Sequence, residues 1–252
     1  MSYSVFAQYY DLFTADVDYP RRARWIAGLL AARGIGSGLT LDLACGTGSL
    51  TWELASLGYE MIGTDQSAEM LMEAHAKAAR YPGVQPPLFL CQSMTELDLY
   101  GTVRAAVCTL DSMNHLADMK QVRRAIGLTA LFMEPGGIFV FDVNTRYKHQ
   151  QVLGCNSFVY ETPRVLCAWR NSLSSSGARV DIALDFFERQ PGGTYLRQSE
   201  DFSEWYYSPR QLRGALDQAG FDLLDVYGEF TDQPPAPDCQ RAVFVARRRG
   251  QV

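Results

Sequence analysis

Two carboxylates and a pair of glycines carry the most specific chemical signal in the chain. Asp42 precedes Gly46 and Gly48 at a strand-to-helix turn, and Asp65 follows about twenty residues after the first glycine. Glycines there let a ligand lie against bare backbone, with the N–H groups of the following helix facing it. An acid at the end of the next strand is placed to bind the two hydroxyls of a ribose. A phosphate would gain nothing from Asp42, whereas an aminoacyl ligand could set its ammonium beside it. A dinucleotide fingerprint needs a third glycine where this chain has Thr51. The turn therefore suits a ribose-bearing ligand with a cationic head better than a pyrophosphate.

These residues need a strand, a turn and a helix in a fixed order. Leu39, Leu41 and Leu43 supply the strand, Leu50, Leu54 and Leu57 give the next segment helical spacing, and Tyr59 to Thr64 forms a second strand ending at Asp65. The run Asp42-Leu-Ala-Cys-Gly-Thr-Gly48, with Gly63-Thr-Asp-Gln-Ser67 after it, resembles motif I of the class I S-adenosylmethionine-dependent methyltransferases. The resemblance covers nearly the whole chain. It implies a Rossmann-like α/β fold, with a seven-stranded, mostly parallel sheet of order 3-2-1-4-5-7-6 whose last strand runs antiparallel. It also implies S-adenosylmethionine as cofactor, S-adenosylhomocysteine as product, and in-line methyl transfer.

Carried onto this sequence, the resemblance assigns Asp65 to the ribose and Asp42, directly or through water, to the methionine ammonium. Backbone from Ala44 through Cys45 and Gly46 to Gly48 lines the methionine tail, Met70, Gln92 and Met94 lie near the adenine, and Gln66 is a further cofactor residue. Relatives commonly have an acid for the adenine amino group where this chain has Ser93, so either that hydroxyl or bare backbone does the work. Tyr9-Tyr10-Asp11-Leu12 matches a pattern often seen in leading helices that fold over the cofactor. Both tyrosines read equally well as packing aromatics.

A second constellation, Asp111-Ser-Met-Asn-His-Leu116, follows the fourth strand, beside the expected sheet-order reversal where open α/β sheets bind ligands. It resembles a pattern of bacterial small-molecule methyltransferases and lacks the Asn-Pro-Pro-Tyr motif used on nucleic-acid bases. Asp111 is expected both at the cofactor and in catalysis. His115 is the candidate general base, oriented by Asp111 or Tyr10. His75 and His149 read as ordinary surface histidines.

The chain has 252 residues, 47% hydrophobic and 20% charged, which suits a cored α/β domain carrying an insertion. No run reaches membrane-spanning length, and no basic, apolar leader stands at the start. Six dispersed cysteines without a Cys-x-x-Cys pair read as small buried hydrophobes in a reducing cytoplasm, with no metal site. A net charge of −5 argues against nucleic acid as a partner, and Arg247-Arg248-Arg249 reads as a solvated tail.

Residues 1–36 form leading helices over the cofactor, at Ser4 to Phe13 and Arg21 to Arg33. Residues 37–145 and 207–252 form the core, with Pro87 to Cys91 a short buried strand and Glu134-Pro-Gly-Gly137 a break before a fifth strand from Ile138 to Val143, and 146–206 is an inserted antiparallel β subdomain. The insertion rises from the ligand-binding edge with Phe158, Tyr160, Trp169, Phe186, Phe202 and Trp205 among its aromatics. They suit either a substrate roof or a homodimer contact. The expected acceptor is a small molecule with a nitrogen or oxygen nucleophile. A cofactor-binding sensor or complex subunit is the alternative, and a nicotinamide-dependent reductase is a lesser one.

Overall fold

The computed structural model describes residues 6–250. The leading helix expected from Ser4 is followed from Phe6 as α1, Phe6–Phe13; Ser4 and Val5 lie outside the described residues. Helix α2, Tyr19–Ala31, starts before the expected Arg21 because Asp18 caps it, accepting the Arg21 N–H at 2.9 Å, with Pro20 in the first turn where a missing donor costs nothing.

The core then alternates as its periodicity dictates: β1 Gly38–Leu43, α3 Ser49–Ser56, β2 Tyr59–Asp65 and α4 Ala68–Ala76. It continues with β3 Leu88–Cys91, β4 Val103–Cys108, α5 Met119–Leu131 and β5 Met133–Asn144. Four antiparallel strands follow, β6 Ser157–Glu161, β7 Val165–Leu173, β8 Arg179–Arg189 and β9 Tyr195–Trp205. Helix α6 Pro209–Gln218 leads back into β10 Phe221–Gly228 and β11 Arg241–Arg248.

The seven-stranded sheet has the order β10-β11-β5-β4-β1-β2-β3. Numbered among its own strands alone, this is 3-2-1-4-5-7-6, and β11 runs antiparallel to both its neighbours. Strand β5 shows why it needs cover on both faces. Phe139 and Phe141 face a layer containing Ile126 of α5 and Leu212 and Leu216 of α6, whereas Ile138 and Val140 face Ile26, Leu30 and Leu54 of α2 and α3. The four-stranded sheet, order β6-β7-β8-β9, has its own apolar layer of Val165, Val180, Ile182, Leu184 and Phe186.

Four local expectations are corrected. The Pro135-Gly136-Gly137 break lies inside β5, which pairs with β4 from Met133 onward and absorbs the interruption as a register shift. Strand β3 is the sheet edge, so only Phe89 is buried while Leu88 and Cys91 are exposed. Cys155 is exposed too. Arg247 and Arg248 belong to β11 and are not a tail; Arg248 donates to Ala130 O and Gly220 O, and Arg249 pairs with Asp217. Among the described residues no helix is long and apolar enough to cross a membrane.

Candidate functional site

The turn after β1 is held from the neighbouring strand. Gly46 and Gly48 take left-handed backbone at φ +54° and +69°. Asp65, the last residue of β2, accepts the Gly46 N–H on Oδ2 and the Ser67 N–H on Oδ1, each at 2.9 Å. Each oxygen keeps a lone pair for a further donor. Burial raises the Asp65 pKa against the pull of the Ser67 and Gly46 hydrogen bonds.

Beneath the turn, Thr51 donates its hydroxyl to buried Asp42 Oδ2 at 2.6 Å. Burial pushes the Asp42 carboxyl up to about 7, with the Thr51 hydrogen bond opposing and the charge of Asp65 adding. Lys77 closes the other side. Its Nζ reaches Asp11 of α1 at 2.7 Å, Thr47 O and Oγ1 at 2.8 Å, and Ser49 Oγ at 2.6 Å.

A cavity of about 800 Å³ opens above this turn, a size suited to a cofactor with a small substrate. Ala44, Gly46, Asp65, Gln66 and Met70 line one part of it, and Gln92, Ser93 and Met94 continue that wall. Gln92 fixes the loop beyond β3: its Nε2 donates to Asp98 O at 2.9 Å and its Oε1 accepts the Asp98 N–H at 3.1 Å. Ser93 Oγ accepts the Thr95 N–H at 3.2 Å. A recess of about 30 Å³ shares Tyr10, Ala44 and Gly46 with the cavity and reaches down to Asp42 and Cys45.

The opposite wall is charged. Leu110 and Asp111 both sit at φ +57°, a left-handed pair that is costly for residues with side chains. Asp142 of β5 holds them there, accepting the Leu110 N–H at 2.9 Å and the Asp111 N–H at 2.8 Å. Arg241 of β11 bridges the two acids, 2.7 Å from Asp111 Oδ1 and 2.8 Å from Asp142 Oδ1. Burial alone would raise Asp111, but Arg241, Lys148 and His115 together hold it below the usual carboxylate range. Burial lowers His115, and the charge of Asp111 partly offsets this. Glu204 of β9 completes the wall, its Oε2 accepting from Asn144 Nδ2 at 2.7 Å.

Known proteins share this fold. A family model described as a methyltransferase domain matches residues 40–137. Bacillus subtilis (strain 168) YqeM, whose name places it among the methyltransferases, is 31% identical over 98% of both chains. A crystal structure of an S-adenosylmethionine-dependent methyltransferase from Clostridium acetobutylicum ATCC 824 superposes with a TM-score of 0.86 at 30% identity, over 98% of this chain and 99% of that one. The chain belongs to the class I S-adenosylmethionine-dependent methyltransferases. More distantly, it is 24% identical to the glycine/sarcosine N-methyltransferase of Halorhodospira halochloris over 75% of this chain and 68% of that one.

The residues of this methyltransferase fit its cofactor. A Cβ added to Gly46 would meet nothing within 4 Å, because the space above the turn is open. Of the residues expected at the site, Tyr10, Ala44, Gly46, Asp65, Gln66, Met70, Gln92, Ser93, Met94, Asp111 and His115 are brought together around the one cavity. Asp42 and Cys45 reach only its recess. Gly48 lines neither; a Cβ there would stand 2.8 Å from Ala74 Cβ and 3.0 Å from the Phe89 ring, so its bareness lets α4 and β3 close on the turn.

Tyr9 is not at the cavity wall. It stacks on Phe186 at 5.4 Å and joins the apolar layer of the four-stranded sheet, because neighbouring residues on a helix face different ways. His149 is not a surface histidine. The π-helical turn Lys148–Leu153 buries it completely, and burial holds its pKa down to about 4. Glu204, Arg241 and Asn144 reach the site from β9, β11 and the end of β5, with no local motif to announce them. The alternating pattern of 195–207 reveals a strand, but not that Glu204 faces inward at 3% exposure.

Proposed function

We propose that this methyltransferase binds S-adenosylmethionine along the glycine turn and passes its methyl group to a nitrogen or oxygen of a small acceptor held beneath the four-stranded sheet. The observation that carries this is the continuous cavity. Its wall runs from Gly46 and Asp65 to Asp111 and His115, so a cofactor seated on the turn faces the charged wall.

The sulfonium supplies a methyl group that is already activated. The protein's work is therefore to exclude water and to hold the nucleophile in line at about 3 Å, a positioning effect that can be worth several kcal/mol. Asp65 holds the ribose hydroxyls on the lone pairs that Gly46 and Ser67 leave over. Asp42 balances the ammonium through the recess, and Met70, Gln92 and Met94 bound the adenine, with Ser93 or backbone as its polar partner. Residues 6–36, the described part of the leading segment, cover the cofactor, and the 146–206 insertion roofs the acceptor. Tyr160, Trp169 and Phe202 of that insertion line the cavity, which supports the roof over a dimer contact. His115, with Asp111 and Tyr10 orienting it, is one of two candidate bases for the acceptor proton; Glu204, on the same wall, is the other.

The test is calorimetry with S-adenosylhomocysteine and with NAD, followed by S-adenosylhomocysteine formation and label transfer from methyl-labelled S-adenosylmethionine across small amines and alcohols. Binding of the first ligand alone, with turnover on one acceptor class, is expected. His115→Ala and Asp111→Ala should each lose turnover at least 100-fold with cofactor binding retained. Normal turnover in both would refute the catalytic assignment, and cofactor binding without product from any acceptor would favour a sensor.

A further inference from the structure

With Glu204 ionised, the acceptor end of the cavity is short of one positive charge. Asp142, Asp111 and Glu229 are gathered around Arg22 and Arg241: Arg22 lies 3.7 Å from Asp142 and 2.7 Å from Glu229, and Arg241 lies 3.2 Å from Glu229 besides its contacts with the two aspartates. Lys148 adds a third cation to that wall, its charge acting on both Asp111 and Glu204. Glu204 is the fourth carboxylate. Its neighbours on β5 and on the 148–153 turn are an amide, Asn144 Nδ2 at 2.7 Å, and an imidazole, His149 Nε2 at 3.9 Å.

Neither ring nitrogen of His149 has a hydrogen-bond partner among the described residues, and the ring is fully buried. Charging it would require desolvating an imidazolium, so it stays neutral and gives Glu204 no counter-ion. The reacting atoms of Asp111, His115 and Glu204 all lie within 4.8 Å of one another, around a space that belongs to the cavity.

We infer that the acceptor of this methyltransferase is a cationic primary or secondary amine, and that Glu204, supplied by the inserted sheet, both receives it as the missing counter-charge and takes its proton. The inference rests on the methyl-transfer reading above and narrows its acceptor from nitrogen or oxygen to an ammonium. It also gives the proton-accepting role to Glu204 over His115. Burial and the charge of Asp111 push the Glu204 carboxyl up to about 8 in the empty site, against Asn144, Lys148 and Arg241; an arriving ammonium is the charge that draws it into the ionised form, from which it can take a proton back. His115, lowered by burial, is the weaker base of the two.

The step balances. One N–H bond of the ammonium breaks and its proton passes to a Glu204 carboxylate oxygen, leaving a lone pair on nitrogen. That pair forms the new N–C bond as the methyl carbon's bond to sulfur breaks, and the bonding pair stays on sulfur as a neutral thioether. The product is a methylated ammonium, and Glu204 returns its proton to solvent. A divalent cation among Asp111, His115 and Glu204 fits less well, because Arg241 already stands 2.7 Å from Asp111 and would be pressed against it.

The test uses the full chain loaded with S-adenosylhomocysteine, wild type and Glu204→Gln. Glutamine keeps the acceptor oxygen for Asn144 and removes the charge. Saturation-transfer NMR is run with methylammonium, ethanolamine and glucosamine, against ethylene glycol and glucose, and a separate arm adds manganese chloride. Expected are S-adenosylhomocysteine affinity within twofold in both proteins, amine signals in the wild type only, and none from the alcohols. Equal amine signals in both proteins, no amine signal in the wild type, or tight manganese binding lost in Glu204→Gln would each overturn the inference. Failure of S-adenosylhomocysteine to bind the wild type would instead bring down the methyl-transfer reading on which it rests.

Discussion

Thr51 donates its hydroxyl to Asp42, and this one bond opposes the burial that raises the carboxyl. Hydrogen bonds to charged groups are worth about 1.5–3 kcal/mol. Thr51→Val should therefore weaken S-adenosylhomocysteine binding about tenfold at pH 7, with affinity recovering as pH rises and Asp42 ionises. Calorimetry from pH 6 to 9 reads this; a parallel loss at every pH would separate the effect from Asp42.

The same acid has a signature in stability. Its folded pKa of about 7 lies above the ordinary 3.8, so the folded protein binds the extra proton between those values. That contribution is present below about pH 4 and is lost as pH rises through 7. Asp42→Asn should remove a fall of roughly 2–4 kcal/mol across that window, measured as the wild-type-minus-variant difference in urea unfolding.

His149 shifts the other way. Its pKa of about 4 lies below the ordinary 6.5, so it favours the folded state above 6.5 and this advantage disappears as pH falls through 4. His149→Leu should flatten that acid loss by about 2–3 kcal/mol and change stability little at pH 8. Unfolding of both proteins at pH 4.5 and 8 decides it, and equal acid sensitivity would refute it.

The two turn glycines should fail differently. Gly46→Ala suffers only the left-handed backbone, about 1–2 kcal/mol, but its methyl enters the cavity, so cofactor binding should drop at least 100-fold with the fold intact. Gly48→Ala meets Ala74 and Phe89 and should lower the melting temperature by more than Gly46→Ala does. Thermal unfolding paired with calorimetry on each variant distinguishes the outcomes.

How much of this was legible in the sequence follows from range. Asp42, Gly46, Gly48 and Asp65 could be read because strand, turn and helix are contiguous and their spacing is set by backbone geometry. The same holds for the alternation of Phe139 and Phe141 against Ile138 and Val140. Tyr9 could not be separated from Tyr10, since only the docking of α1 on the four-stranded sheet decides which ring meets the cavity. Glu204 and Arg241 were out of reach for a related reason. Their positions depend on the pairing of β11 with β5 and on the Asn144–Glu204 contact that brings β9 to the end of β5, long-range relations that no local pattern records. The burial of His149 leaves no trace in the sequence, because its polar neighbours Lys148 and Gln150 give no sign of a ring turned inward.

Helix α1 is only eight residues long, yet it is fastened at both ends of the molecule's chemistry. Asp11 is latched to Lys77 below the glycine turn, while Tyr9 and Phe13 are wedged against Phe186 of the inserted sheet. A swing of that sheet away from the core drags the strap with it or tears one fastening loose. Lys77→Met, which undoes the latch, is expected to speed S-adenosylhomocysteine release without tightening its binding, read by stopped-flow displacement.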